Sequence, residues 1–384
     1  MQSIRTWDCS KLSIVKPMLI VFLLATSCVQ AVAAVDISNP TKLMFVGDRE
    51  DNLIDVISLG DSEVVYRIET SIHPDHIIVT PFAPILIYTN TASRKVVFYD
   101  LKKQQETRTL ELPISPRHVV LDTTGAKIGI SDDVDGGFVL IHAYSRSVQF
   151  ALEDFPATAD VLFDPNDVDI YYSNDATGSM GLLDTNTQRT YEMSLTDEPG
   201  QLLSPPSRSI DGRYIYVANI TTGEVYSLNA YSKVIFNTFE IGGNPARPYT
   251  TPEGTFLYMM DEDSGRFVTV EQQGFTEYAD STFDRGVDLV AVGRFDRMNL
   301  FLSSANKHWY IYDNVAKAVI KSGEFPARPV GVLGAADGKI AYVAFVDAAQ
   351  VAVMDLEKQS LEYIPATENG SGAFTIGLSN NVCH

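Results

Sequence analysis

Short apolar runs broken by turns of Asp, Asn, Gly and Ser recur from Leu43 onward. The runs favour Val, Ile, Tyr and Phe, residues that suit half-buried strands. Eight of them share one form, a strand that closes on Asp or a substitute. They end at Ser58, Asp100, His142, Asp184, Asn229, Glu271, Asp313 and Asp355, in steps of 42, 42, 42, 45, 42, 42 and 42 residues. Chance does not give that spacing, and a fixed period of this length marks a repeat architecture. The longer step predicts a three-residue insertion near Glu198-Pro199-Gly200.

Each repeat holds more than its marker strand. Upstream lies a strand ending in Asx, as in Tyr88-Thr89-Asn90 and Tyr216-Val217-Ala218-Asn219. Before that comes a Pro-rich entry to another strand, such as Pro116-Arg117-His118 or Pro245-Ala246-Arg247-Pro248. A weaker strand after each marker brings the count to four antiparallel strands per repeat, the pattern of a propeller blade. The first repeat begins directly with its second strand, Leu43–Val46, while Gly372–Leu378 is a spare first strand at the other end. Joining the two closes the ring and removes exposed edges. The expectation is an all-β, eight-bladed propeller over residues 34–384.

These repeats resemble the YVTN type, whose unit reads roughly P-x-R-P, then Y-V-x-N, then V-x-V-I-D. Pro245–Pro248 and Tyr216–Asn219 carry the first two parts. The resemblance covers almost the whole chain after residue 33 and implies the fold while saying little about function. Eight-bladed propellers of this general look include the haem d1 proteins of denitrification, and exported propellers include zinc metallochaperones of the AztD kind. The second likeness implies zinc carriage to a partner protein.

The N-terminus and the charge narrow the setting. Arg5, Lys11 and Lys16 precede an apolar run from Met18 to Ala25, and Ala31-Val32-Ala33 follows as an A-x-A cleavage site. This is the layout of a secretory signal peptide over residues 1–33. The apolar run is short for a membrane span of roughly 20 residues. Export to the periplasm or beyond follows, with no stable membrane span after cleavage. Cys28 sits in a loose lipobox, Ala25-Thr26-Ser27-Cys28. Removing the segment also removes Cys9 and Cys28, so only Cys383 remains and no internal disulfide can form. Formal net charge is −20, and loss of Arg5, Lys11, Lys16 and Asp8 leaves about −22. Such a chain repels phosphate backbones, which argues against nucleic-acid binding, and attracts cations.

No C-x-x-C-H, H-E-x-x-H, G-x-S-x-G or phosphate-loop motif is present, so covalent haem is not expected and no catalytic residue is assigned. One constellation does carry chemistry. Counting 24 residues back from the markers gives His76, His118 and Asp160, each 42 apart, followed by Pro205, Arg247, Leu289 and Gly331. In a propeller these positions open the inner strands, so two imidazoles and a carboxylate reach one height of the channel mouth. That set suits zinc. His73 could add a ligand, as could His384 beside Cys383, and Arg247 could hold an anion there. The plainer reading is that His118 hydrogen-bonds Asp160 and water. A second ring, Asp48, Asn90, Asp132, Asn174, Asn219, Asp261, Ser303 and Phe345, reads as turn formers. The leading expectation is a zinc-carrying propeller that serves another periplasmic or envelope protein. The alternatives are a non-enzymatic interaction scaffold and a redox enzyme with a non-covalent haem or quinone.

Overall fold

The computed structural model describes residues 35–377, apart from positions 167 and 285. The signal segment with Cys28, and the tail with Cys383 and His384, lie outside the described residues. Eight four-stranded antiparallel sheets follow one another around a ring, as the repeat predicts. Blade one is made from both ends of the chain. Its second, third and outer strands are Leu43–Asp48, Leu53–Ser58 and Glu63–Glu69, and its inner strand is Ser371–Ile376. Blades two to eight run in sequence from His76 to Pro365. The insertion lies in the connection between Arg189–Ser194 and Ser207–Arg208, where Gly200 turns with φ of 74°.

The marker residues build the turns between third and outer strands. Asp100 accepts the N–H groups of Lys102 and Lys103, Asp184 those of Asn186 and Thr187, and Asp313 those of Val315 and Ala316. Four residues after each marker the chain enters the left-handed region, at Ser62, Gln104, Arg146, Gln188, Lys233, Phe275, Lys317 and Gln359. The Asx ring at the opposite face works the same way. Asp132 accepts from Val134 and Asp135, and Asn219 from Thr221 and Thr222. These side chains replace water on turn donors that would otherwise be unpaired.

Packing follows from the two-sided burial of the middle strands. Leu43–Asp48 is buried along its whole length, whereas the outer strand Arg189–Ser194 is almost wholly exposed. The buried side chains form eight clusters, one at each interface between neighbouring blades. Each buried Val, Leu, Ile or Phe is worth about 1.5–3 kcal/mol. No blade can keep that burial if the ring opens, because each sheet needs a neighbour on both faces.

Closure therefore has its own clasp. Ser371–Ile376 pairs with Leu43–Asp48, with Ala373 opposite Gly47 and Ile376 opposite Met44. Asp48 is 1 % exposed and gathers the two chain ends: it accepts N–H groups of Glu50 and Asp51 at 2.9 Å each, and of Glu368 at 3.0 Å and Asn369 at 3.2 Å. Burial opposes its charge, yet these donors outweigh burial and pull its carboxyl down to about 2. Stability from this group is complete above its unfolded value of roughly 4 and is lost as pH falls through about 2. Asp48→Ala should cost about 2–4 kcal/mol by urea titration, since it strands several buried donors. Asp48→Asn should flatten the acid-side loss of stability. A variant as stable as the parent at pH 7 would remove the clasp.

Candidate functional site

The inner-strand register holds around the whole ring. His76 pairs opposite Thr89, His118 opposite Ser131, Leu289 opposite Leu302, Gly331 opposite Ala344 and Ala373 opposite Gly47. Each of these pairs lies 42 residues from its neighbour's or a multiple of that step, allowing for the insertion. The register does not slip in the later blades. Asp160, Pro205 and Arg247 occupy the same position just ahead of the short inner strands Leu162–Phe163, Ser207–Arg208 and Tyr249–Thr250. The register thus delivers His76, His118, Asp160 and Arg247 to one mouth of the channel.

At that mouth the side chains make a row of alternating charge. His118 Nδ1 lies 3.3 Å from Asp160 Oδ1, and its Nε2 lies 3.2 Å from Asp133 Oδ2. Arg247 reaches back past blade five: its Nη1 meets Asp160 Oδ2 at 3.3 Å, and its Nη2 donates to the Pro206 carbonyl at 2.7 Å. The row Asp133–His118–Asp160–Arg247 spans blades three to six. Beside it, Arg117 donates to Asp132 at 3.0 Å. The members are half-buried, with side-chain exposures of 27 % for His118 and Arg247 and 35 % for Asp160. They are dry enough to interact strongly and open enough for a small ligand to reach.

The surroundings split the two imidazoles. Burial opposes the charge on His118, but Asp160 and Asp133 outweigh it and raise its pKa. Burial, then the like charge of His118, lowers His76, whose ring shares a hydrogen bond with the Arg117 backbone. Asp160 is held low because His118 and Arg247 overcome its own burial. Near the ordinary imidazole midpoint the collar therefore holds one charged and one neutral histidine, the separation that assigns different roles to like groups.

The other sequence candidates fall elsewhere. His73 turns away from the mouth, with Nδ1 at 2.9 Å from Asp75 and Nε2 at 2.7 Å from the Arg49 carbonyl. Arg247, one candidate for holding an anion at the mouth, pairs with Asp160. Asp133 was legible only as one acid among many in its turn. Among the described residues, no three His, Cys, Asp or Glu side chains have their donors gathered as around a bound ion.

No protein-family model and no curated protein sequence matches the chain. Many solved structures share its fold. Dihydro-heme d1 dehydrogenase NirN, solved in complex with DHE, aligns with a TM-score of 0.74 at 13 % identity over 90 % of this chain and 77 % of that one. The C-terminal WD40 domain of Sif2 gives 0.61 at 13 %, over 78 % and 85 %. The Cps50 (Swd1) propeller of Myceliophteria_thermophila gives 0.55 at 12 %, over 76 % and 96 %. At such identities the likeness is one of fold, and it places the chain among the β-propellers.

In an NMR titration His118 should titrate above its usual value of roughly 6.5 and His76 below it. Asp160→Asn should lower the His118 midpoint, since it removes the largest stabiliser of the imidazolium. Coincident midpoints, or a His118 indifferent to that change, would contradict this picture of the collar.

Proposed function

We propose that the protein is an exported propeller, working in the periplasm, that takes a divalent cation of zinc's class at the collar and passes it to a partner protein. One observation carries this reading. His76 and His118 open two consecutive inner strands at one register and Asp160 stands just ahead of the third, with His118 already in contact with Asp160. Imidazole nitrogen and carboxylate oxygen are the donors such ions prefer, and Asp133 adds a second carboxylate within reach of His118.

The charges define how uptake would proceed. His118 must give up its proton to become a ligand, so binding exchanges a proton for the ion and weakens as pH falls. Arg247 competes for Asp160 and keeps the site loose. A carrier needs that looseness, because the ion must leave by exchange onto another protein's ligands. Acids on the surrounding turns, among them Glu50, Asp51, Asp135 and Asp263, raise the local concentration of cations.

A second reading is a metal-free interaction scaffold. It is favoured by the pairing of both Asp160 oxygens, one to His118 and one to Arg247, which leaves the collar charge-compensated without an ion. Zinc titration calorimetry separates the two. The carrier reading expects one ion per chain, a loss of about 10–100-fold in affinity for His118→Ala, and tighter binding for Arg247→Met. Absence of stoichiometric uptake, or an unchanged His118→Ala, leaves the scaffold. An absorption band from the native protein would instead favour a haem or quinone in the channel.

A further inference from the structure

The clasp that closes the ring carries a chemical weak point. Asn369-Gly370 is the one Asn-Gly pair in the chain, and it stands directly before the closing strand Ser371–Ile376. Asparagine followed by glycine is the pair most prone to deamidation, because no Cβ hinders the glycine nitrogen. That nitrogen attacks the side-chain amide carbon, a new C–N bond forms, and the amide nitrogen leaves as ammonia. Water then opens the cyclic imide at either carbonyl, giving aspartate or isoaspartate.

Closure imposes both halves of the pair. Gly370 has a φ of 84°, and a Cβ there would come within 2.0 Å of the Val346 carbonyl oxygen, so glycine is required. Its carbonyl accepts the N–H of Arg49 at 3.0 Å, which ties this turn to blade one. Position 369 has to supply donors. Asn369 Nδ2 donates to Asp48 Oδ1 at 3.1 Å and to Asp51 Oδ2 at 2.9 Å, while the backbone N–H reaches Asp48 Oδ2 at 3.2 Å. An aspartate would face those two carboxylates with no proton to give them. The ring therefore holds a labile pair because its closure needs that pair.

The same contacts restrain the reaction. Two carboxylates clamp the amide, so its carbon is not free to swing toward the Gly370 nitrogen while the ring is closed. That nitrogen makes no hydrogen bond among the described residues, which leaves the clamp as the restraint. Opening of the clasp frees the amide, and reaction then bars the way back. The aspartate product sets a third carboxylate against Asp48 and Asp51, and isoaspartate also lengthens the backbone just ahead of the closing strand. Like charges at this distance disfavour one another. The bases at this turn are already engaged, Arg67 with Asp55 and Glu368, and Arg49 with Asp347.

We propose that Asn369 is a deamidation site whose conversion turns transient opening of the ring into irreversible loss of closure. The closed clasp sets the rate, so the lifetime of the closed propeller is written into this one turn. The inference rests on closure alone and is independent of what the collar binds.

The test is incubation of the purified protein in mildly alkaline buffer, then peptide mapping that separates asparagine, aspartate and isoaspartate at position 369. Conversion at Asn369 should run ahead of the other asparagines, and amide exchange across Ser371–Ile376 should be faster in the converted fraction. Asp51→Ala removes one clamp at an exposed side chain and leaves Asp48 in place. It should speed conversion by roughly 2–10-fold, the equilibrium weight of one hydrogen bond. Asn369→Gln, whose longer side chain closes an imide far more slowly, should stop it. Asn369→Asp should mimic the converted protein and melt at least about 2 °C below the parent. An Asn369 that stays intact in folded protein while the urea-unfolded chain converts overturns the proposal. So does an Asn369→Asp protein that melts with the parent, or a conversion rate indifferent to Asp51→Ala.

Discussion

A ring of sheets is stable only if it closes, and every other feature of this molecule rests on that constraint. Each blade buries apolar side chains against two neighbours, so one open interface would expose a whole cluster on each side. Closure is made by strand pairing between the two ends of the propeller and by one buried carboxylate, Asp48, that receives donors from both. The same requirement fixes the pairing offset of inner and second strands, because blades of unequal register would not meet edge to edge. Chemistry at the channel mouth is a by-product. Residues that open successive inner strands are held at one height whether or not they serve a ligand.

The disc that results has two unlike faces. On one, turn acids surround a collar in which carboxylates, histidine and arginine alternate. On the other, exposed apolar residues such as Phe82 and Tyr231 stand among acids and bases that largely pair with one another. Net charge alone conceals this, since a formal −20 describes the sum and not its placement.

Nearly all of the fold was legible in the sequence, because the 42-residue step measures strand and turn lengths directly. Blade count, closing strand and insertion all follow from it, as does the register of His76, His118 and Asp160. The collar's partners were not legible in the same way. Arg247 pairs with Asp160 only because it passes blade five, where Pro205 presents no long side chain, and such reach has no signature in spacing. Asp133 resembles its neighbours in a crowded acidic turn, and nothing local marks it as the one facing His118. His73 was drawn away by the Arg49 carbonyl, a contact made across two blades. The turn at Phe295 and Asp296, where both residues take a left-handed backbone, did leave a trace. Aligning the repeats shows Asp296 in a column where Gly125, Gly212, Gly254 and Gly338 stand. A residue with a side chain at a left-handed position is a readable sign of enforced strain.

The reading of the collar as a cation site is tested most directly by X-ray absorption at the zinc edge on protein loaded with one equivalent of zinc. Binding by His76, His118 and Asp160 predicts a four-coordinate shell of nitrogen and oxygen at about 2.0–2.2 Å, with the outer-shell scattering of two imidazoles and no sulfur. A chain that retains no zinc after desalting would contradict it. So would a shell containing sulfur, which His76, His118 and Asp160 cannot supply.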